Sequence, residues 1–357
     1  MLGYITEVAV SQLLGFAGAW FVARHAFRFG LIDIPNGRSS HDLPTPRGGG
    51  IGILVALAVS ALALKLPYSF WLPAVLLSLV SFFDDKLCLS PKTRLVFQFA
   101  AALTVLMPFM PLFESRSSML SPCIPYILIL PLCVFIVGTS NFFNFMDGIN
   151  GIAGISGAVA FCLIAAFCHF QGDSHALQIF AACMAAACLG FLPLNLPRAR
   201  VFMGDVGSVL LGFTFAILCI ALAGSVADFL VLCGFLSTFY ADALTTLYIR
   251  KRDGERLSQA HRRHLYQLLA NRMLIPHWKV SLGYGAVQAG IGVLLLSLRP
   301  AGVEVIVSSE IVLFFCWWLV TRRLRRKSGD LLHVEPRPKA LLIPLRQTRR
   351  ERTPAEG

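Results

Sequence analysis

Charged side chains are scarce in this chain. Asp, Glu, Lys and Arg make up 14% of its 357 residues, and the acids number only 19. Soluble globular domains carry about 25% charge, so an ordinary soluble enzyme is excluded. Cysteine pairs of the metal-binding kind are missing as well. Ten cysteines are present but none forms Cys-x-x-Cys. Cys162, Cys183, Cys219 and Cys316 lie within apolar runs and read as small hydrophobic fillers. Nothing in Met1–Phe29 reads as a cleavable secretion signal, because its apolar core is too long and lacks a basic start. A retained membrane helix is expected there. Internal repeats and polar residues deep in several apolar runs are also lacking, which argues against a transporter of lipid-linked or nucleotide sugars. Asp242 stands out as an ionisable residue within an apolar run.

What the chain has in abundance is apolar sequence, 56% of it, with a mean hydropathy of +0.71. Windows long enough to cross a bilayer fall near 4–27, 51–66, 68–83, 95–112, 122–139, 152–170, 175–192, 207–224, 227–248, 280–298 and 304–321. The second and third are short and joined by a tight turn at Lys65–Tyr68. The expectation is an all-α polytopic membrane protein with about eleven transmembrane helices (10–11) over residues 1–321, followed by a basic cytoplasmic tail, 322–357. If the first helix runs inward, all of the 31 Lys and Arg except Lys65, Arg116 and Arg299 fall on the cytoplasmic side. That bias accounts for the net charge of +12 without a nucleic-acid partner. The tail either binds anionic lipid or enforces topology. A run of small residues, Ala181–Gly190, would permit a homodimer.

The same orientation puts the polar loops together on the cytoplasmic face: Pro35–Gly50, Asp84–Arg94, Asn141–Gly151, Pro193–Ser208 and Arg250–Trp278. In the first, Gly48–Gly50 open a helix whose backbone N–H groups suit phosphate oxygens, with Ser40, His41 and Arg47 close by. In the second, the adjacent carboxylates Asp84 and Asp85 suit a metal shell or a general base, and Lys92 and Arg94 suit phosphate. In the third, Asn141, Asn144, Asp147 and Asn150 recur every three residues, so consecutive members share one side of a helical turn, and Gly148 and Gly151 loosen the backbone. In the fourth, Asp205 stands between Gly204 and Gly207, glycines that would clear room for a metal-bound diphosphate. In the fifth, His261 and His264 would share a helix face. Zinc is weakly supported there and phosphate or sugar contacts fit better. Acids for a divalent cation, bases for phosphate and a membrane setting point to transfer of a phosphorylated group from a soluble donor onto a lipid.

These motifs resemble those of the polyprenyl-phosphate N-acetylhexosamine-1-phosphate transferases, glycosyltransferase family 4. The resemblance runs from about Pro35 to Gln267. It rests on Ser39-Ser40-His41 with Pro44-Thr45-Pro46-Arg47-Gly48-Gly49, on Asp84-Asp85, on Asn141–Gly151, on Phe202-Met203-Gly204-Asp205-Val206-Gly207-Ser208 and on His261-Arg262-Arg263-His264-Leu265-Tyr266-Gln267. It implies transfer of a hexosamine 1-phosphate from a UDP-sugar to undecaprenyl phosphate with release of UMP, dependent on Mg²⁺ or Mn²⁺, at the bacterial inner membrane. Asp205, with Asp147, would hold the metal. Asp84 and Asp85 would be the paired catalytic aspartates, one of them a base, beside Asp147. Asn144, Gly148 and Asn150 would line the nucleotide pocket, and His261 and His264 would contact the donor. The family commonly has an aspartate where Asn150 stands. The His-x-x-His loop, together with Ser39-Ser40-His41 and Pro46-Arg47-Gly48-Gly49, resembles the branch that initiates O-antigen and surface polysaccharide, which implies UDP-GlcNAc as donor, with UDP-FucNAc or UDP-QuiNAc, or else UDP-MurNAc-pentapeptide, as alternatives.

Overall fold

The computed structural model describes residues 2–35, 40–41, 43–87, 90–111, 124–172, 175–256 and 261–329, with side chains except at 2, 3, 84–87, 124 and 125. Twelve helices of nine or more residues carry the described chain. In order they are α1 (Leu2–Phe29), α2 (Ile51–Ala63), α3 (Tyr68–Leu87), α4 (Pro91–Leu106), α5 (Ile124–Met146), α6 (Ile152–Gln171), α7 (His175–Asn195), α8 (Asp205–Leu222), α9 (Val226–Gly234), α10 (Ser237–Arg252), α11 (His277–Leu298) and α12 (Val303–Lys327). The only described strands, β1 (Ile32–Asp33) and β2 (Thr45–Pro46), pair antiparallel between α1 and α2.

The protein is an all-α polytopic membrane protein. Seven helices are long and apolar enough to cross a bilayer, and α9 with α10 makes an eighth if the pair is one span. The expected count of about eleven included α2, α3 and α4. At 13 residues α2 rises about 20 Å, short of a hydrocarbon core of about 30 Å. The window at 227–248 is no straight helix: α9 and α10 bend by 81° at Phe235–Leu236. Gln288 of α11 makes the break tolerable by donating its side-chain amide to the carbonyls of Phe235 (2.8 Å) and Ser156 (2.9 Å). Sequence reasoning also passed over Glu310, which lies within the last span. That span continues as helix through Arg322–Lys327, the first six residues of the expected tail; residues from 330 onward lie outside the described ones.

The core is built around α8, whose residues are almost all buried. It is flanked by α3 and α5, while α7 packs between α1 and α6. The small residues of Ala181–Gly190 are spent inside the chain. Ala181, Ala187 and Cys188 are wholly buried, and Gly190 lies against the backbone of Gln12 in α1. This stretch therefore offers little surface to a second copy. At the end of the bundle away from the polar loops, Arg299 donates to Asp228 at 2.6 Å.

Candidate active site

Four of the polar loops meet at one end of the bundle around a cleft of about 370 Å³. The first brings Ser40, His41 and Arg47 to its wall, as expected. His41 is held by Asp33 (Nε2 to Oδ2, 3.3 Å) and by the Leu43 carbonyl (2.9 Å). Ser40 accepts a bond from Asn271 at 3.1 Å. The glycines do something other than expected. The N–H groups of Gly48 and Gly49 donate to the Phe202 carbonyl (3.1 and 2.9 Å), and that of Gly50 to the Met203 carbonyl (2.9 Å). No phosphate oxygen is needed there, because the Phe202–Gly204 segment already occupies those donors. Gly204, at φ +74°, brings its backbone against Gly48, and Gly50 meets Gly207 backbone to backbone where α2 and α8 cross.

This crossing sets Asp205 on the first turn of α8. One carboxylate oxygen accepts from Arg47 at 2.6 Å, and the other faces Arg94 at 3.5 Å. Asp205 forms part of the wall between the main cleft and a smaller cavity of about 40 Å³ that Arg94, Gln98 and Asn141 also line.

The asparagine ladder divides at that wall. Asn141 turns from the main cleft and donates to Gln98 Oε1 and the Val137 carbonyl, both at 2.7 Å. Asn144 borders both spaces and donates to Ser208 Oγ at 3.0 Å. Helix α5 stops at Met146, so Asp147 and Asn150 belong to the loop beyond it and not to a shared helical face. Both still line the main cleft, with Gly148 between them. Burial pushes the Asp147 carboxyl up to about 7, the negative charge of Asp205 adds to this, and Arg47 opposes it. Asn150 is fixed by bonds to the Pro197 carbonyl (3.3 Å) and from Ser281 to its own carbonyl (2.8 Å).

The helix face that His261 and His264 were expected to share does not form. Neither His261 nor His264 lines the cleft, and they occupy no common helix: His264 only precedes the turn Leu265–Gln267. Buried Asp242 of α10 draws this loop inward. It accepts from the backbone N–H of Leu265 (2.8 Å) and Tyr266 (3.3 Å) and from Tyr284 Oη (2.8 Å), with His264 3.6 Å away. Burial, His264 and Arg250 push the neighbouring His261 down to about 3. What the loop presents to the cleft is Gln267, joined by His277 at the start of α11. Sequence reasoning quoted Gln267 in its motif without assigning it a role and passed over His277. The Pro276-His277 pair at a helix start was the available signal. Lys92 is exposed and lines no described cavity, and Asp84 and Asp85 end α3 with side chains outside the described residues.

No trio of His, Cys, Asp or Glu that could hold a metal alone occurs among the described residues. The donors facing the cleft are oxygens: Asp147, Asp205, Asn144 and Ser208. Two carboxylates with neutral oxygens fit Mg²⁺, which takes few protein ligands and completes its shell with water and substrate phosphate.

A second, apolar cleft of about 480 Å³ lies along α5, α10 and α12 and is lined by Phe135, Phe142, Leu244 and Trp317 among others, with Glu310 at its edge.

Residues 68–223 match the sequence profile described as Glycosyl transferase family 4. The chain is 30% identical to a decaprenyl-phosphate N-acetylglucosaminephosphotransferase of Mycolicibacterium smegmatis over 60% of this chain and 58% of that protein. It is 26% identical to a probable undecaprenyl-phosphate N-acetylglucosaminyl 1-phosphate transferase of Bacillus subtilis, over 61% of this chain and 63% of the relative. A phospho-N-acetylmuramoyl-pentapeptide-transferase of Staphylococcus saprophyticus is 28% identical over 74% of this chain and 91% of its own length. The chain thus spans less than two thirds of the first two relatives.

Proposed function

From the match of residues 68–223 to glycosyl transferase family 4 we propose that the chain is a member of that family and transfers an N-acetylhexosamine 1-phosphate from a UDP-sugar to a polyprenyl phosphate, releasing UMP. The observation that carries the reading is the pairing of Asp147 and Asp205 on one polar cleft with Arg47, at the end of a membrane bundle. The acceptor is undecaprenyl phosphate, and the apolar cleft beside α5 suits its prenyl chain. The orientation follows from the sorting of Lys and Arg, which puts the polar cleft on the cytoplasmic side of the inner membrane. The donor we assign is UDP-GlcNAc, in keeping with the N-acetylglucosamine in the names of two relatives, and the role is initiation of surface polysaccharide, O-antigen included.

In this reading an acceptor phosphate oxygen attacks the β-phosphorus of the donor. The bond from that phosphorus to the bridging oxygen breaks, and UMP departs with the electron pair. Arg47 and Arg94, already drawn to the site by Asp205, share the negative charge of the diphosphate. Asp147, with a proton affinity near neutrality, is matched to a phosphate monoester and can take its last proton. Asn144 and Asn150, fixed by Ser208 and Pro197, orient the donor. Asp205 and Asp147 would hold Mg²⁺, which when bound supplies further neutralisation of the phosphoryl charge.

The test is an in-vitro assay with purified protein, undecaprenyl phosphate, Mg²⁺ and a panel of UDP-sugars, scoring UMP and lipid-linked product together. Product from one donor, lost with EDTA and in Asp205→Asn, is expected. No UMP from any donor in folded, lipid-replete protein would refute the reading. A phosphorylated aspartate after incubation with donor alone would refute direct attack.

A further inference from the structure

Helices α10 and α12 leave between them a trough that adjoins the apolar cleft at Leu244 and Phe314 but gathers other groups. Its apolar part, about 410 Å³, is framed by Leu244 and Tyr248 of α10 and by Phe314, Phe315 and Trp318 of α12. Four of these, Leu244, Tyr248, Phe314 and Phe315, are exposed on the flank of the bundle. Through Tyr248 and Trp318 the trough continues into a space of about 160 Å³ that holds Arg252, Arg322 and Arg325. No carboxylate lines either part.

The three arginines are held in different ways. Arg322 lies over the Trp318 ring at 5.4 Å, which orients its guanidinium beside the trough. Arg325 is fully buried and donates to Thr246 Oγ1 at 2.8 Å. Arg252 bonds Asp253 at 2.9 and 3.0 Å, but that carboxylate is shared with Arg263 at 2.8 Å. Arg325 is linked through Thr246 to the Asp242 carboxylate, so the positive charge facing the trough is that of Arg322 and of Arg252, which shares its one carboxylate with Arg263. It stands in the last turns of α10 and α12, beside an open apolar surface.

We propose that this trough binds an anionic phospholipid of the surrounding bilayer, its phosphate on Arg252 and Arg322 and an acyl chain along Phe314, Phe315 and Trp318. Charge complementarity selects the occupant: a zwitterionic lipid brings its own cation to a site that already presents Arg252 and Arg322, whereas an anionic one does not. The polyprenyl acceptor is a poorer fit, because its phosphate must reach Asp147 in the polar cleft, which shares no lining residue with the trough, and its chain is already given the apolar cleft that meets the trough only at Leu244 and Phe314. The anchor is also connected inward. Thr246, held by Arg325, donates to Asp242 Oδ1 at 3.1 Å, and Asp242 carries the loop that sets Gln267 on the cleft.

Trp318 makes the site directly observable. The full chain would be reconstituted in phosphatidylcholine bilayers containing dibrominated phosphatidylglycerol or dibrominated phosphatidylcholine, and Trp318 emission isolated by difference from Trp318→Phe. The brominated anionic lipid is expected to quench that component at about fivefold lower mole fraction than the zwitterionic one, the effect of one arginine at a membrane surface. Arg322→Gln should erase about that factor, while Arg326→Gln, exposed at the same depth but outside the trough, should leave it unchanged. Equal quenching by the two lipids would overturn the proposal. So would relief of quenching by unbrominated undecaprenyl phosphate equimolar with protein, which would give the trough to the acceptor.

Discussion

Replacing Gly148 with alanine tests the site through a contact of one atom. A Cβ at this position would overlap the Tyr266 hydroxyl and stand 3.0 and 3.1 Å from Cζ and Cε2 of the same ring. That ring is fully buried, and its hydroxyl donates to the Phe145 carbonyl at 2.9 Å, tying the histidine loop to the end of α5. The phenol cannot retreat without breaking this bond. A lost buried hydrogen bond costs about 1–3 kcal/mol and overpacking a similar amount, so Gly148→Ala should destabilise by about 3 kcal/mol. Asp147 adjoins the altered residue, and a displacement of about 1 Å at a reacting group costs on the order of 100-fold in rate. The assays are thermal unfolding in detergent and UMP release. Tyr266→Phe removes the nearest overlapping atom but leaves the two ring carbons, so the double variant should recover about 1 kcal/mol relative to Gly148→Ala alone. Additive single effects, or a Gly148→Ala protein with the parent's midpoint and rate, would refute the contact and the coupling drawn from it.

Further perturbations follow from the same geometry. Between pH 3.8 and about 7 the folded state keeps a proton on Asp147 that the unfolded chain has released, so stability should fall as pH rises through that window. Asp147→Asn should therefore match the parent's unfolding midpoint below pH 4 and exceed it above pH 7; a parent midpoint independent of pH relative to this variant would contradict the sign. Gln267→Ala should raise the donor KM about tenfold and also lower the unfolding midpoint, because the Gln267 Oε1 accepts from the buried His264 N–H at 3.3 Å, whereas an unaltered KM would remove Gln267 from the donor site. Asp242→Asn should lower kcat and speed hydrogen exchange at the Leu265 amide; exchange as slow as in the parent would show that the loop is held elsewhere.

Much of the fold was legible because burial in lipid leaves a one-dimensional record: apolar windows marked the helices, and glycine or proline marked their ends. The bend at Phe235–Leu236 left no such record, since the polar group that supports it, Gln288, comes from a helix fifty residues away. The cleft residues Ser40, His41, Arg47, Asn144, Asp147 and Asp205 were legible because their motifs lie in loops on one face. Spacing misled wherever a side chain had a nearer partner. Three-residue intervals said nothing of Gln98, which takes Asn141, or of Asp242, which takes the loop carrying His261 and His264. The N–H groups of Gly48–Gly50 looked open for the same reason, because Phe202 and Met203 are remote in sequence.

The close seating of α1 against α7 bears on how the chain is assembled. Gly15 leaves no space for a side chain beside the Ala187 carbonyl, and Gly190 none beside that of Gln12, so each helix is shaped to the other's backbone. During synthesis α1 enters the bilayer while α7 has yet to be translated, and its glycine face must wait in lipid for a partner more than 140 residues away. Helix α2 can shelter part of it meanwhile, through the approach of Gly18 to Gly52. Biogenesis is therefore expected to leave the α1 face open until α7 is made, and a gene divided between α6 and α7 would ask whether two fragments find each other in the membrane.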